Sequence, residues 1–187
     1  MKKNAQTALI HAPRRAPQYI QTVQPPLFRA STIIFENTDA LFNRHWTDAY
    51  DYSYGTHGTP TTFTLADQIA QLEGGEYCLL APSGLSAINL VNSCFLSQGD
   101  EVWVADNIYG PNMEHLRNLE QRYGITVQVY NPIDVDSFQP SAQAKLIWLE
   151  AAGSVTLEFP NLTALVKKAK SHHMLTALDN SWGAGLA

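Results

Sequence analysis

The chain has 187 residues, 45% of them hydrophobic and 16% charged, with a formal net charge of −5. That is enough apolar material for a sizeable core and too much for a disordered chain. The acidic balance, with no basic stripe, excludes a nucleic-acid role driven by phosphate neutralisation.

The longest basic cluster, Lys167, Lys168 and Lys170, falls in a helical pattern and reads as a solvated face. The two cysteines, Cys78 and Cys94, each sit in an apolar run, where a free thiol behaves as a small hydrophobe. Two cysteines in such runs do not make a disulfide framework, so a reducing cytoplasm is expected. The stretch from Met1 to Ala16 carries charges with no long apolar run behind them. It is therefore expected to be neither a signal peptide nor a membrane span.

Residues 1–60 differ from the rest. They hold Pro13, Pro17, Pro25 and Pro26, many Thr and Asn, and few periodic segments. The region reads as an arm that packs on something else, such as another subunit, or as an irregular extension of the same domain. Its end, Asp51 to Thr62, combines Tyr52 and Tyr54 with Gly55, Gly58 and Pro60. That is a rigid turn bearing hydroxyls, suited to touching a phosphate and equally to being only a turn.

Beyond Pro60 the pattern is regular. Leu65, Ile69 and Leu72 recur at helical spacing and stop at Gly74-Gly75. Tyr77 to Ala81 reads as a short buried strand, and a helix opens near Ser83-Gly84 and closes before Gly99. Glu101 to Ala105 is a strand rich in β-branched and aromatic residues, followed by a helix from Asn112 that stops at Gly124. Thr126 to Tyr130 and Lys145 to Glu150 are strands. Asn161 caps another helix, and the segment from Met174 to Asp179 is the last strand. Apolar strands alternating with helices predict an α/β fold, with a mostly parallel sheet covered on both faces.

In such sheets ligands bind beyond the carboxyl ends of the strands, which selects the residues to weigh. Ser83-Gly84 precedes a helix whose first N–H groups and positive dipole end suit a phosphate, although Ser-Gly also serves as a plain cap. Tyr109 lies in the turn after a strand, where an aromatic either stacks on a flat ring or closes the turn. Asp179 ends an apolar strand, so its carboxylate is expected to be largely buried and to need a partner. A protonated ring nitrogen would supply one, and so would a structural ion pair.

Taken in order, Tyr54-Gly55-x-x-Gly58-x-Pro60-Thr61, then Leu72-Glu73-Gly74-Gly75, Ser83-Gly84, Asn107-x-Tyr109-Gly110-Pro111 and Asp179-Asn180-x-Trp182 are more specific than any one piece. The series resembles the trans-sulfuration family of pyridoxal-phosphate enzymes from about residue 30 onward. Gly153 and Ser154 make it more similar to the cystathionine β-lyases than to the γ-specific members, whose synthases and γ-lyases are the alternative. The resemblance implies an aspartate-aminotransferase-like (fold type I) large domain, with residues 1–60 an arm at a subunit interface and 61–187 the first part of the cofactor domain. It implies pyridoxal 5'-phosphate as cofactor, a sulfur amino acid as substrate and a homo-oligomer.

Residue by residue, the resemblance implies that Ser83, Gly84 and Leu85 hold the cofactor phosphate. It implies that Tyr109 stacks on the ring as the catalytic tyrosine and that Asp179 keeps the ring nitrogen protonated. Tyr54 is implied to reach the phosphate of the neighbouring subunit. Thr56 stands where many members place an Arg, and Ala151-Ala152 where they place Ser-Pro. A hydroxyl donates a hydrogen bond without bringing charge. The family's cofactor-bearing lysine lies beyond the Asp-Asn-x-Trp motif. The chain is therefore expected to be an N-terminal fragment, inactive by itself, or a truncated remnant. A nucleotide-binding module is a distant alternative, since neither Gly-x-Gly-x-x-Gly nor a Walker pattern occurs.

Overall fold

The computed structural model describes Thr22, residues 26–45 and residues 52–185. The expectations for Met1 to Ala16, and for most of the arm before residue 26, lie outside the described residues. The chain forms two compact units that divide between Leu80 and Ala81.

In the first unit, α1 (Thr38–Phe42) is capped by Asn37, whose Oδ1 accepts the Ala40 N–H at 2.8 Å. Helix α2 (Pro60–Leu72) opens with Pro60, whose missing N–H costs nothing in a first turn. Thr62 Oγ1 accepts the Thr59 N–H at 2.8 Å there. At the other end Gly74 takes φ +67°, which ends the helix. Phe63, Ala66 and Ala70 form its buried face. The segment from Pro26 to Thr32 is tied to this helix and to the turn before it. Phe28 N–H donates to Thr61 Oγ1 at 2.8 Å, and the Thr61 hydroxyl donates to Pro26 O at 3.0 Å. Gly55 N–H donates to Ser31 O at 2.7 Å, beside an antiparallel bridge between Thr32 and Tyr54. A Cβ on Gly55 would fall 1.7 Å from Ala30 O, so only glycine lets these two backbones touch.

The expected strand at Tyr77–Ala81 is not formed. The segment has no regular structure, and Tyr77 and Leu79 are exposed. A strand needs a ladder partner, and none of the four strands pairs with it.

The second unit is a parallel sheet in the order β2-β1-β3-β4. The strands are β1 (Glu101–Ala105), β2 (Thr126–Tyr130), β3 (Ala144–Glu150) and β4 (Leu175–Asp179). Helices α3 (Gly84–Phe95), α4 (Gly110–Tyr123) and α5 (Leu162–Ser171) cover it, and a 3₁₀ turn spans Val135–Ser137. Because side chains alternate along a strand, β1 and β3 feed two cores. Trp103, Ala105, Ile147 and Leu149 pack with Phe138, Leu165 and Ala169 on one face. Val102, Val104, Leu146 and Trp148 pack with Ile88 and Leu116 on the other. Helices thus lie on both faces, as the apolar runs predict. No helix among the described residues is long and apolar enough to cross a membrane.

Three expectations need adjustment. Both cysteines are free thiols, but Cys94 is exposed rather than packed as a hydrophobe. Lys168 does not simply point into water: its Nζ donates to Val135 O at 3.1 Å and sits 5.8 Å from the Phe138 ring centre. Asp179 is only half-buried, because β4 pairs with β3 alone among the described strands.

Candidate active site

The chain turns back on itself at β1. One connection leads from β1 to β2 on one side, and the next returns to β3 on the other. Such a reversal opens a crevice beyond the carboxyl ends of the two central strands. Here it is bordered by the Asp106–Tyr109 turn after β1 and by the loop after β3.

Helix α3 begins at Gly84, with Ser83 as its extended N-cap. Ser83 Oγ accepts the Ser86 N–H at 3.1 Å and lies 2.9 Å from Ser86 Oγ. One of the first-turn donors is thereby used, and no atom lies within 4 Å of where a Gly84 Cβ would be, so the helix start leaves room at that residue. Leu85 follows on the exposed side of the same turn. At the end of β4, Asp179 Oδ1 accepts the Ser181 N–H at 3.0 Å and the Ser181 hydroxyl at 2.6 Å. These two ends line one groove of about 460 Å³, together with Ile88, Trp148 and Thr176. The groove therefore joins the positive end of a helix to a half-buried carboxylate.

Tyr109 is half-exposed and forms the N-cap of α4, without a capping bond from its own side chain. Its N–H donates to Glu150 Oε2 at 2.8 Å. Glu150 is the last residue of β3 and stands in register with Asp179. Burial pushes the Glu150 carboxyl above its usual range, and the Asp179 charge adds to this; the N–H groups of Tyr109 and Ser154 oppose it. The loop after β3 grips the same turn. Asn107 Nδ2 donates to Thr156 Oγ1 and to Glu158 Oε2, both at 2.9 Å. Ser154 N–H donates to Asn107 O at 3.1 Å. A Cβ on Gly153 would sit 2.1 Å from Asn107 Nδ2.

Gly84 and Asp179 are thus brought together in one groove, whereas Tyr109 does not line it and is related to Asp179 only through Glu150, its hydrogen-bond acceptor, which pairs in register with Asp179. Tyr54 and Thr56 belong to the first unit, where both are exposed. Thr56 lines a separate cavity of about 450 Å³ with Gly55, His57, Gly58, Phe63 and Cys78, whose thiol is pushed up by burial. Asn107 and Glu150 were not given roles by the sequence. The one signal for Glu150 is a carboxylate closing an apolar strand.

The model of the family described as Cys/Met metabolism PLP-dependent enzymes matches residues 6–187. The chain belongs to this family. A protein of Rhizobium johnstonii named putative cystathionine beta-lyase is 34% identical over 94% of this chain and 44% of its own length. An L-alanine/L-glutamate racemase of Wolbachia pipientis is 32% identical over 97% of this chain and 47% of its own. The crystal structure of a cystathionine gamma-lyase from Lactobacillus plantarum, complexed with L-serine, superposes with a TM-score of 0.86 at 25% identity, over 98% of this chain and 46% of that one. The chain spans about half the length of the curated relatives it matches.

Pyridoxal phosphate is the cofactor of this Cys/Met metabolism family. The residues present fit it. A groove of that volume is within the ordinary range for small ligands. The N–H groups of a helix start suit a phosphate, and a carboxylate lining the same groove suits a protonated ring nitrogen.

Proposed function

We propose that this chain carries the cofactor-cradling part of a pyridoxal-phosphate carbon–sulfur β-lyase. The favoured reaction converts cystathionine and water to homocysteine, pyruvate and ammonia. The observation that carries the reading is the single groove shared by the Gly84 helix start and Asp179. When bound there, the cofactor supplies an electron sink for a carbanion at the substrate α-carbon. Gly84 and Leu85 offer N–H groups to its phosphate, with the Ser83 hydroxyl beside them. Asp179 holds a proton on the ring nitrogen. Tyr109 lays its ring against the cofactor. Tyr54 and Thr56 reach toward the phosphate of a neighbouring subunit in a homo-oligomer.

The β-specific assignment is supported by Gly153 and Ser154 and by the relative in Rhizobium johnstonii. Assay of the purified protein with cystathionine and pyridoxal phosphate tests it. Pyruvate is the expected product. Formation of 2-oxobutyrate instead would move the protein to the γ-specific branch. Interconversion of alanine or glutamate enantiomers without either keto acid would favour the chemistry named for the Wolbachia relative.

A further inference from the structure

Helix α4 starts without help from its own N-cap, since Tyr109 has no side chain suited to capping. The first N–H groups of a helix need acceptors, and a buried one left unpaired is costly. Tyr109 N–H finds its acceptor 41 positions away in sequence, in the Glu150 carboxyl. Glu150 is 5% exposed, and no Lys, Arg or His pairs with it among the described residues. A carboxyl buried without a cation is expensive to keep, so its place is set by the N–H groups of Tyr109 and Ser154 that oppose this cost. It also stands at the sheet reversal, with β1 on one side of its strand and Asp179 in register on the other.

We propose that Glu150 is a positioning residue that fixes the Tyr109 turn relative to Asp179 and so sets where the Tyr109 ring lies. This rests on the reading of Tyr109 as the residue whose ring meets the cofactor. Neither Glu150 nor its partner N–H touches the groove that Asp179 and Gly84 share. Glu150 therefore acts through Tyr109, and its side chain takes no part in the chemistry. The acceptor, not the charge, is what the turn requires. An amide oxygen in the same place would serve, whereas a side chain with no acceptor would release the turn. The Asn107 bonds to Thr156 and Glu158 hold the other flank, so the released motion is confined to Ile108 through Gly110.

The test compares the whole chain with Glu150→Gln and Glu150→Ala by amide hydrogen exchange. In the alanine variant the Tyr109 amide is expected to exchange about tenfold faster or more, with Val104 and Ile147 amides unchanged, because local and global openings separate in this measurement. In the glutamine variant Tyr109 is expected to keep its protection. Glu150→Met, which fills the space without a strong acceptor, replaces the alanine variant if that one does not fold. Equal acceleration at all three amides, unchanged Tyr109 exchange in the alanine variant, or equal loss in the glutamine variant would each overturn the proposal. A second readout uses added pyridoxal 5'-phosphate and its induced circular dichroism. Glu150→Ala should alter that band as Tyr109→Ala does, and Glu150→Gln should not. If Tyr109→Ala leaves the band unchanged while Glu150→Ala still frees the Tyr109 amide, the cofactor reading of Tyr109 fails and the anchoring by Glu150 stands.

Discussion

Strands β3 and β4 are written in the same apolar language and live in different surroundings. Six of the seven β3 residues are buried, and Ile147 is fully so. No β4 residue is buried, and Leu178 is 45% exposed. The difference comes from neighbours. β3 lies between β1 and β4 with helices on both faces, whereas β4 has one ladder partner among the described strands. An apolar run therefore reports the surroundings a strand is suited to, and the count of flanking strands decides how far it finds them. The carboxylates at the two strand ends follow the same division. Glu150 is buried, and Asp179 is held half-open by Ser181.

The largest expected break in this contrast is Ile147→Ala. Removing a fully buried side chain should cost about 2–5 kcal/mol in urea denaturation. Gly153→Ala comes next. Its Cβ would collide with an Asn107 side chain already fixed by two hydrogen bonds, so a loss of about 1–3 kcal/mol is expected from the same measurement. An unchanged urea midpoint would show that Asn107 moves aside freely.

Smaller effects come from two glutamates shifted in opposite directions. The Glu150 carboxyl is raised in the folded chain by burial, above the ordinary 4.5. Its favourable contribution is complete below that ordinary value and is lost as pH rises through the folded value. Glu150→Gln should therefore gain stability relative to the natural chain on going from about pH 4 to about pH 7. Glu120 is lowered, first by the Val127 N–H it accepts at 2.9 Å and then by Arg117 at 2.8 Å. Its contribution is complete above 4.5 and lost as pH falls through the folded value. Glu120→Gln should accordingly cost more at about pH 7 than at about pH 3. Parallel pH profiles for the two variants would refute at least one of the assignments.

The smallest change is expected at the exposed edge. Leu178→Ala should shift stability by no more than about 0.5 kcal/mol. A cost near that of Ile147→Ala would mean that β4 is covered in solution and would erase the contrast.

Much of the second unit is legible in the sequence because its signals are local. Apolar runs give β1 through β4 to within about a residue, in keeping with their strong pattern. Gly124 at φ +68° marks the end of α4, as its place in the sequence predicts. What fails is what depends on partners. Tyr77–Ala81 has the composition of a strand without a neighbour, and Asp179 has the setting of a buried carboxylate on an edge. The five-residue α1 is too short to show a period. The site divides in the same way. Gly84, Tyr109 and Asp179 stand at strand ends and helix starts that can be read in order along the chain. The bond from Tyr109 to Glu150 depends on which strand lies beside which, and no stretch of residues states that. Asn107 joins Gly153 for the same reason.

The open side of β4 has a consequence for handling the protein. Among the described strands β4 leaves one row of N–H and C=O groups without a ladder partner, flanked by exposed Leu175 and Leu178, and such an edge is a template for another extended chain. Each added strand would present a new open edge in turn, so association of this kind has no built-in stopping point. Association of this kind would make concentration a structural variable for residues 1–187.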